Sequence, residues 1–150
     1  MGLARMIRRL RRKAEEARAR KRRRKSLFEA LEQRLLLDTV TWDGGGDGIS
    51  WHDAQNWDTD LLPAVSDDVI IGGLGPAVVH SQNDDSINSL HSSRPLSLSG
   101  GSLSTAAASE MSAGMDLENG TLTGAGTLTL GGTSTWTNGT MAGTGATVIA

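Results

Sequence analysis

Three six-residue blocks near the C-terminus of this 150-residue chain recur at a spacing of 19. They are Leu98-Ser99-Gly100-Gly101-Ser102-Leu103, Leu117-Glu118-Asn119-Gly120-Thr121-Leu122 and Trp136-Thr137-Asn138-Gly139-Thr140-Met141. The shared pattern is apolar, any residue, Gly or Asn, Gly, Ser or Thr, apolar. Gly124 and Gly126 recur in the same way as Gly143 and Gly145. A fixed period near 20 residues is the mark of a solenoid, in which each repeat buries its apolar face only by stacking on the next. Gly and Thr dominate the repeats, so helical solenoids are excluded by propensity. Alternations such as Leu128-Thr129-Leu130 read as strands with one buried face. Gly after Asn or Gly supplies a positive-φ corner. The sequence therefore predicts a mainly β chain built as a parallel β-solenoid (β-helix) with a period of 19 residues. Leu98, Leu117 and Trp136 form one interior column, and Leu103, Leu122 and Met141 a second. A Gly/Thr-rich linker without fixed structure is the alternative, but a linker has no need to keep its apolar positions in register.

Charge divides the chain in two. Residues 1–37 carry 14 Lys/Arg and 4 Asp/Glu, whereas 38–150 carry one basic residue, Arg94, and 13 acids. The sums, +10 and −12, return the net charge of −2. Segments of opposite charge have different jobs. Residues 1–37 lack Pro, have Gly2 as their one Gly and consist mainly of helix formers, so a basic α-helical N-terminal segment precedes the solenoid. Leu3, Ile7, Leu10, Ala14 and Ala17 make a narrow apolar seam. The seam lapses at the cationic run Lys21–Lys25 and resumes at Phe28, Leu31 and Leu35, giving helical pieces near 3–20 and 26–36. No apolar run approaches the roughly 20 residues of a membrane-spanning helix. An ordinary secretory signal is also excluded, because its apolar core of about 7–15 residues is missing.

The organisation that follows is a basic targeting segment at 1–37, a Trp/Gly/Asp-rich cap with the first strands at 38–86, and solenoid repeats at 87–150, which read as part of a longer solenoid. Val69-Ile70-Ile71 and Val78-Val79 are the first strands, and Gly44–Gly48 is a loop.

Two segments carry a resemblance. Phe28-Glu29-Ala30-Leu31-Glu32-Gln33-Arg34-Leu35-Leu36-Leu37 resembles the LEPR-XLL motif of large bacterial surface proteins, where it follows a basic segment. Gln33 stands where that motif has Pro, while the spacing of Leu31, Glu32, Arg34, Leu36 and Leu37 is kept. Thr41-Trp42-Asp43-Gly44-Gly45-Gly46-Asp47-Gly48, with Trp51, Asn56-Trp57, Pro63 and Asp67–Ile71, is similar to the opening of bacterial surface β-helix proteins of the adhesin-like, planctomycete type. The resemblance implies a non-enzymatic structural or adhesive protein, at the cell surface or secreted, with Phe28, Leu31, Glu32, Arg34, Leu36 and Leu37 as its sorting motif. A carbohydrate-binding or carbohydrate-active β-helix module is the alternative.

Chemistry is sparse. The absence of Cys excludes disulfides and thiolate sites. Trp42, Trp51 and Trp57 lie close together in an aromatic-poor chain. They read as a mini-core capping the first coil, or as a platform for sugar rings. Asp43 and Asp47 are weak calcium candidates, because hard cations take carboxylate oxygens, but no tandem calcium-binding pattern surrounds them. No other cofactor is expected. His52, His80 and His91 are isolated in sequence, with no metal-ligand spacing. Asp67-Asp68 and Asp84-Asp85 read as charged turns beside strands rather than as catalytic pairs, so no catalytic residue is assigned. Candidate partners of residues 1–37 are export or sorting machinery and an anionic membrane surface. Cell-surface polysaccharide is a candidate partner of the body, and the solenoid end is a candidate for self-association. The −12 body would repel nucleic acid.

Overall fold

The computed structural model describes residues 38–150; the basic segment and its LEPR-XLL-like residues, Phe28, Leu31, Glu32, Arg34, Leu36 and Leu37, lie outside the described residues. The described chain is a parallel β-solenoid of about four turns. Strand β1 (Thr39–Thr41) is followed by the cap, and the coils begin at Asp68. The first coil holds β2 (Asp68–Ile71), β3 (Val78–His80) and β4 (Asp84–Ile87). The second holds β5 (Ser89–Ser92), β6 (Leu96–Leu98) and β7 (Ser102–Thr105). The third holds β8 (Ser109–Met111), β9 (Met115–Leu117) and β10 (Thr121–Gly124). The fourth holds β11 (Leu128–Leu130), β12 (Thr135–Trp136) and β13 (Thr140–Gly143), and β14 (Thr147–Ile149) follows. Like strands of successive coils pair in parallel, giving three sheets ordered β1-β2-β5-β8-β11-β14, β3-β6-β9-β12 and β4-β7-β10-β13.

The two columns read from the repeat are in register. Leu98 pairs with Leu117 and Leu117 with Trp136, while Leu103 pairs with Leu122 and Leu122 with Met141. Leu98, Leu117 and Leu103 are fully buried. Trp136 departs from the expected interior position. It keeps its register but is 60% exposed, because its coil has a stacked neighbour on one side only among the described residues. Side chains alternate inward and outward in the middle of the stack, so β6, β9 and β11 all read buried, half-buried, buried. Each buried Leu contributes about 1.5–3 kcal/mol. The outer face of the third sheet includes a ladder of small hydroxyl residues, Ser86 with Ser104 and Ser104 with Thr123.

The period tightens along the chain. Asp68 pairs with Ser89, 21 residues on, and Val78 with Leu96, 18 on; from Leu96 onward each partner is 19 away. The coils therefore extend upstream of residue 87 as a less regular first turn. The recurrent glycines mark corners where coils approach closely. A Cβ on Gly126 would overlap the backbone of Ala107 one coil earlier, and one on Gly145 the backbone of Gly126.

Replacing Leu117 with Asp places an unpaired charge between Leu98 and Trp136 in the core column, and the expected loss is about 3–5 kcal/mol. Chemical denaturation reads that loss directly. Thermolysin gives a second readout, because it cuts before apolar residues and those of the columns, such as Leu98 and Leu103, are fully buried in the native fold. The wild-type body should resist cleavage before Leu98 and Leu103, and the Leu117→Asp body should be cut there.

Candidate functional site

The most elaborate local structure lies at the N-terminal end of the solenoid. Residues 42–58 fold over the first coil as a cap. Ser50 bridges to Val79 as a parallel partner: Val79 N–H donates to Ile49 O (2.8 Å) and Trp51 N–H to Val79 O (3.0 Å). Trp42 N–H donates to Ile70 O (2.8 Å), so cap backbone extends two of the three sheets. Inside the cap, Trp57 is the hub. Its ring meets Trp42 edge to face at 5.0 Å and Trp51 at 4.9 Å, and its Nε1–H donates to Trp51 O at 2.9 Å. Trp51 and Trp57 are fully buried and Trp42 is 5% exposed. The aromatic cluster is therefore a core and offers no ring face for stacking on sugars.

The glycine-rich loop is organised by amide and carboxylate oxygens. Buried Asn56 accepts from Gly46 and Gly48 N–H and donates to Asp47 Oδ1 (2.8 Å). Asp47 Oδ1 also accepts from Ile49 and Ser50 N–H, and Asp43 Oδ1 accepts from Gly45 N–H. Both calcium candidates, Asp43 and Asp47, thus act as hydrogen-bond acceptors within the loop. Arg94 fastens the loop from the second coil. Its Nη2 donates to Gly48 O (3.2 Å) and Pro76 O (2.6 Å), and its guanidinium lies 5.5 Å from the Trp42 ring centre. The sole cation of the body is a buried clasp rather than a ligand for anionic polymers.

The structure brings together residues that look isolated in sequence. His52 from the cap, His80 from β3 and Asp85 from β4 meet where the cap lies on the first coil. Asp85 Oδ2 is 2.7 Å from His52 Nε2 and 2.9 Å from His80 Nε2. Their ligand-type atoms all lie within 4.8 Å of one another, the one such group of three among the described residues. The His80 side chain is fully buried, His52 is 5% exposed and Asp85 17%. His80 Nδ1 lies 3.1 Å from Gly100 O; a carbonyl accepts only, so Nδ1 carries the proton. His52 Nδ1 is buried without a partner. Trp51 stands edge-on to His80 at 5.7 Å, and the two imidazoles are 4.8 Å apart. The expectation that the histidines are isolated fails for His52 and His80, because chain folding closes a 28-residue gap between them. His91 stays apart on β5, paired in register with Glu110.

The remaining carboxylates serve strands and turns. Asp67 is largely buried and accepts from Ala64 N–H at 2.7 Å. Asp68 accepts from the Ser89 hydroxyl and the Asn88 amide, and Asp84 from the Ser102 hydroxyl. Of the two Asp pairs, Asp84-Asp85 alone sends a member to the histidine cluster. A signal for this was present in the repeat. His80 and Asp85 each stand 18 residues before a column leucine, Leu98 and Leu103, and the structure pairs them in register.

No protein-family model, curated protein or solved structure matches the chain.

Acid sensitivity follows from the strapped carboxylates. The Ser89 hydroxyl and then the Asn88 amide hold the Asp68 carboxyl below its ordinary range against an opposing effect of burial, and His91 adds a lesser attraction. The Asn56 amide and the Ser50 and Ile49 N–H groups do the same for Asp47. A carboxyl with a depressed folded pKa stabilises the fold at pH above its unfolded value, and that stability disappears as pH falls through the folded value. Unfolding free energy should be level with respect to these two groups above about pH 5 and fall progressively below about pH 4. Urea titrations across that range check this, and Asp68→Asn should flatten the acid limb.

Proposed function

We propose that this chain is a non-enzymatic structural or adhesive protein of the cell surface or the secreted fraction. In this reading the acidic solenoid is a stiff projecting element, and residues 1–37 are its export and sorting segment. The supporting observation is the in-register stacking of coils, which adds length in 19-residue steps without requiring a ligand. The hydroxyl ladders on the outer face suit a solvated rod that presents loops. The LEPR-XLL-like residues Leu31, Glu32, Arg34, Leu36 and Leu37, after a segment of net charge +10, support the sorting role by resemblance. The carbohydrate-module reading is less favoured, because its aromatic platform, Trp42, Trp51 and Trp57, is packed as a core.

The test is a tagged full-length chain in the producing cell. The tag should be removed by protease added to intact cells, and replacing Leu31, Glu32, Arg34, Leu36 and Leu37 together with Ala should leave the chain inside. A wild-type chain retained in the cytoplasm would remove the proposal.

Self-association belongs to the same reading. Strands β12, β13 and β14 each have one sheet edge without a strand partner among the described residues, and Trp136, Val148 and Ile149 are exposed there. No Lys, Arg or Pro lies between residues 96 and 150 to discourage edge pairing. Sedimentation of the purified chain should show a size that grows with concentration, and fusing a polar capping coil after Ala150 should abolish that growth.

A further inference from the structure

We propose that His52 Nε2, His80 Nε2 and a carboxylate oxygen of Asp85 form a site for a divalent transition ion, zinc by preference, that clasps the cap to the first coil. The proposal is independent of where the chain acts. It starts from the convergence of three ligand-type atoms on one point. His80 Nδ1–H is committed to Gly100 O, so Nε2 is the ring nitrogen left to face Asp85 Oδ2 at 2.9 Å. The same oxygen also faces His52 Nε2 at 2.7 Å. A cation among the three atoms would take one bond from each. The bond from His80 Nδ1 to a backbone carbonyl is the outer-shell contact that orients a metal-ligating histidine and fixes its tautomer.

The position in the fold points the same way. His80 and Asp85 occupy the core columns where the next coil has Leu98 and Leu103. Apolar residues satisfy those columns everywhere downstream, so burying an imidazole and a carboxylate at the first coil costs stability unless they are paired. The donor set also selects the ion. Two imidazole nitrogens and one carboxylate oxygen suit zinc and its neighbours, whereas calcium and magnesium require mainly oxygen. A tetrahedral site with bonds of about 2.0–2.1 Å places its ligand atoms about 3.3 Å apart. The two separations to Asp85 Oδ2, 2.7 and 2.9 Å, are shorter than that, so the carboxylate has to swing back by about half an ångström to admit the ion. At 17% exposure the Asp85 side chain is in reach of solvent, from which a water would come as fourth ligand. His52, His80 and Asp85 come from three separate segments, so the ion would tie the cap to two strands of the first coil at one point.

The experiment uses the full 150-residue chain after dialysis against a chelator. Titration with zinc alone should give one equivalent bound and raise the melting temperature by about 5 °C or more at a hundredfold excess over Kd. Cobalt(II) should give the intense visible bands of a four-coordinate site. His80→Leu installs the residue that the next coil uses at this register, so it should fold, lose at least tenfold in zinc affinity and lose the zinc-dependent melting shift. His91→Ala, outside the cluster, should keep both. If His80→Leu fails to fold, the wild-type cobalt spectrum and His52→Ala carry the test. A melting temperature indifferent to zinc, a zinc response that survives intact in the folded cluster variants, or a response to calcium in place of zinc would overturn the proposal.

Discussion

Parallel pairing between coils is the interaction on which the rest of this structure depends. Every strand from β3 onward takes its hydrogen bonds from strands about one coil away in sequence, so no coil is satisfied alone. This explains why the repeat constrains so much. A one-residue slip in any coil would send Leu117 or Leu122 to the solvent face and bring Glu118 or Thr121 into the core. The 19-residue spacing and the corner glycines keep that register by fixing how much chain each turn consumes. Gly126 and Gly145 are small because the backbone of the preceding coil occupies the space a side chain would need.

A stack held by its neighbours must solve the problem of its first member. Here the chain does so with backbone and with bulk. The Ile49–Trp51 segment lies on β3, and β1 lies on β2, so cap backbone occupies two exposed sheet edges. Three tryptophans, packed edge to face, fill the space above the first coil. Arg94 then reaches from the second coil to carbonyls of Gly48 and Pro76, joining the loop to the stack with hydrogen bonds from a charged group, worth about 1.5–3 kcal/mol each. This arginine is the only Lys or Arg of the body, and its charge is spent on internal carbonyls.

The regular part of the fold was legible from residue 96 onward, since the period is constant there and the columns are apolar. Strands at Val69–Ile71 and Val78–Val79 were legible from their β-branched residues. Strand β4 was not, because Asp84-Asp85-Ser86-Ile87 has the composition of a turn and becomes a strand only through its ladder to Ser102–Thr105. The first coil escaped the repeat for a related reason. Its spacings of 21 and 18 depart in opposite directions from 19, and its column positions hold His and Asp where later coils hold Leu. The tryptophan cap was legible as one of two readings, and burial decides between them. The burial of Trp136 was overestimated, because a shared register does not supply a covering neighbour.

The polar cluster sits at the boundary between two kinds of packing, and that location accounts for both its chemistry and its obscurity in the sequence. Within the stack, an interior position sees the same position one coil above and below, so selection for stability favours identical apolar side chains. At the first coil the upper neighbour is the cap, whose shape and composition follow no period. Trp51 and His52 come from that cap, and His80 and Asp85 answer them with side chains that interact directionally rather than by shape alone. A hydrogen-bonded or ligand-bonded joint fixes the angle and rotation of the cap in a way that a purely apolar contact does not. Once that orientation is set, Leu98 and Leu103 begin the apolar columns, and each later coil inherits its register from the one before.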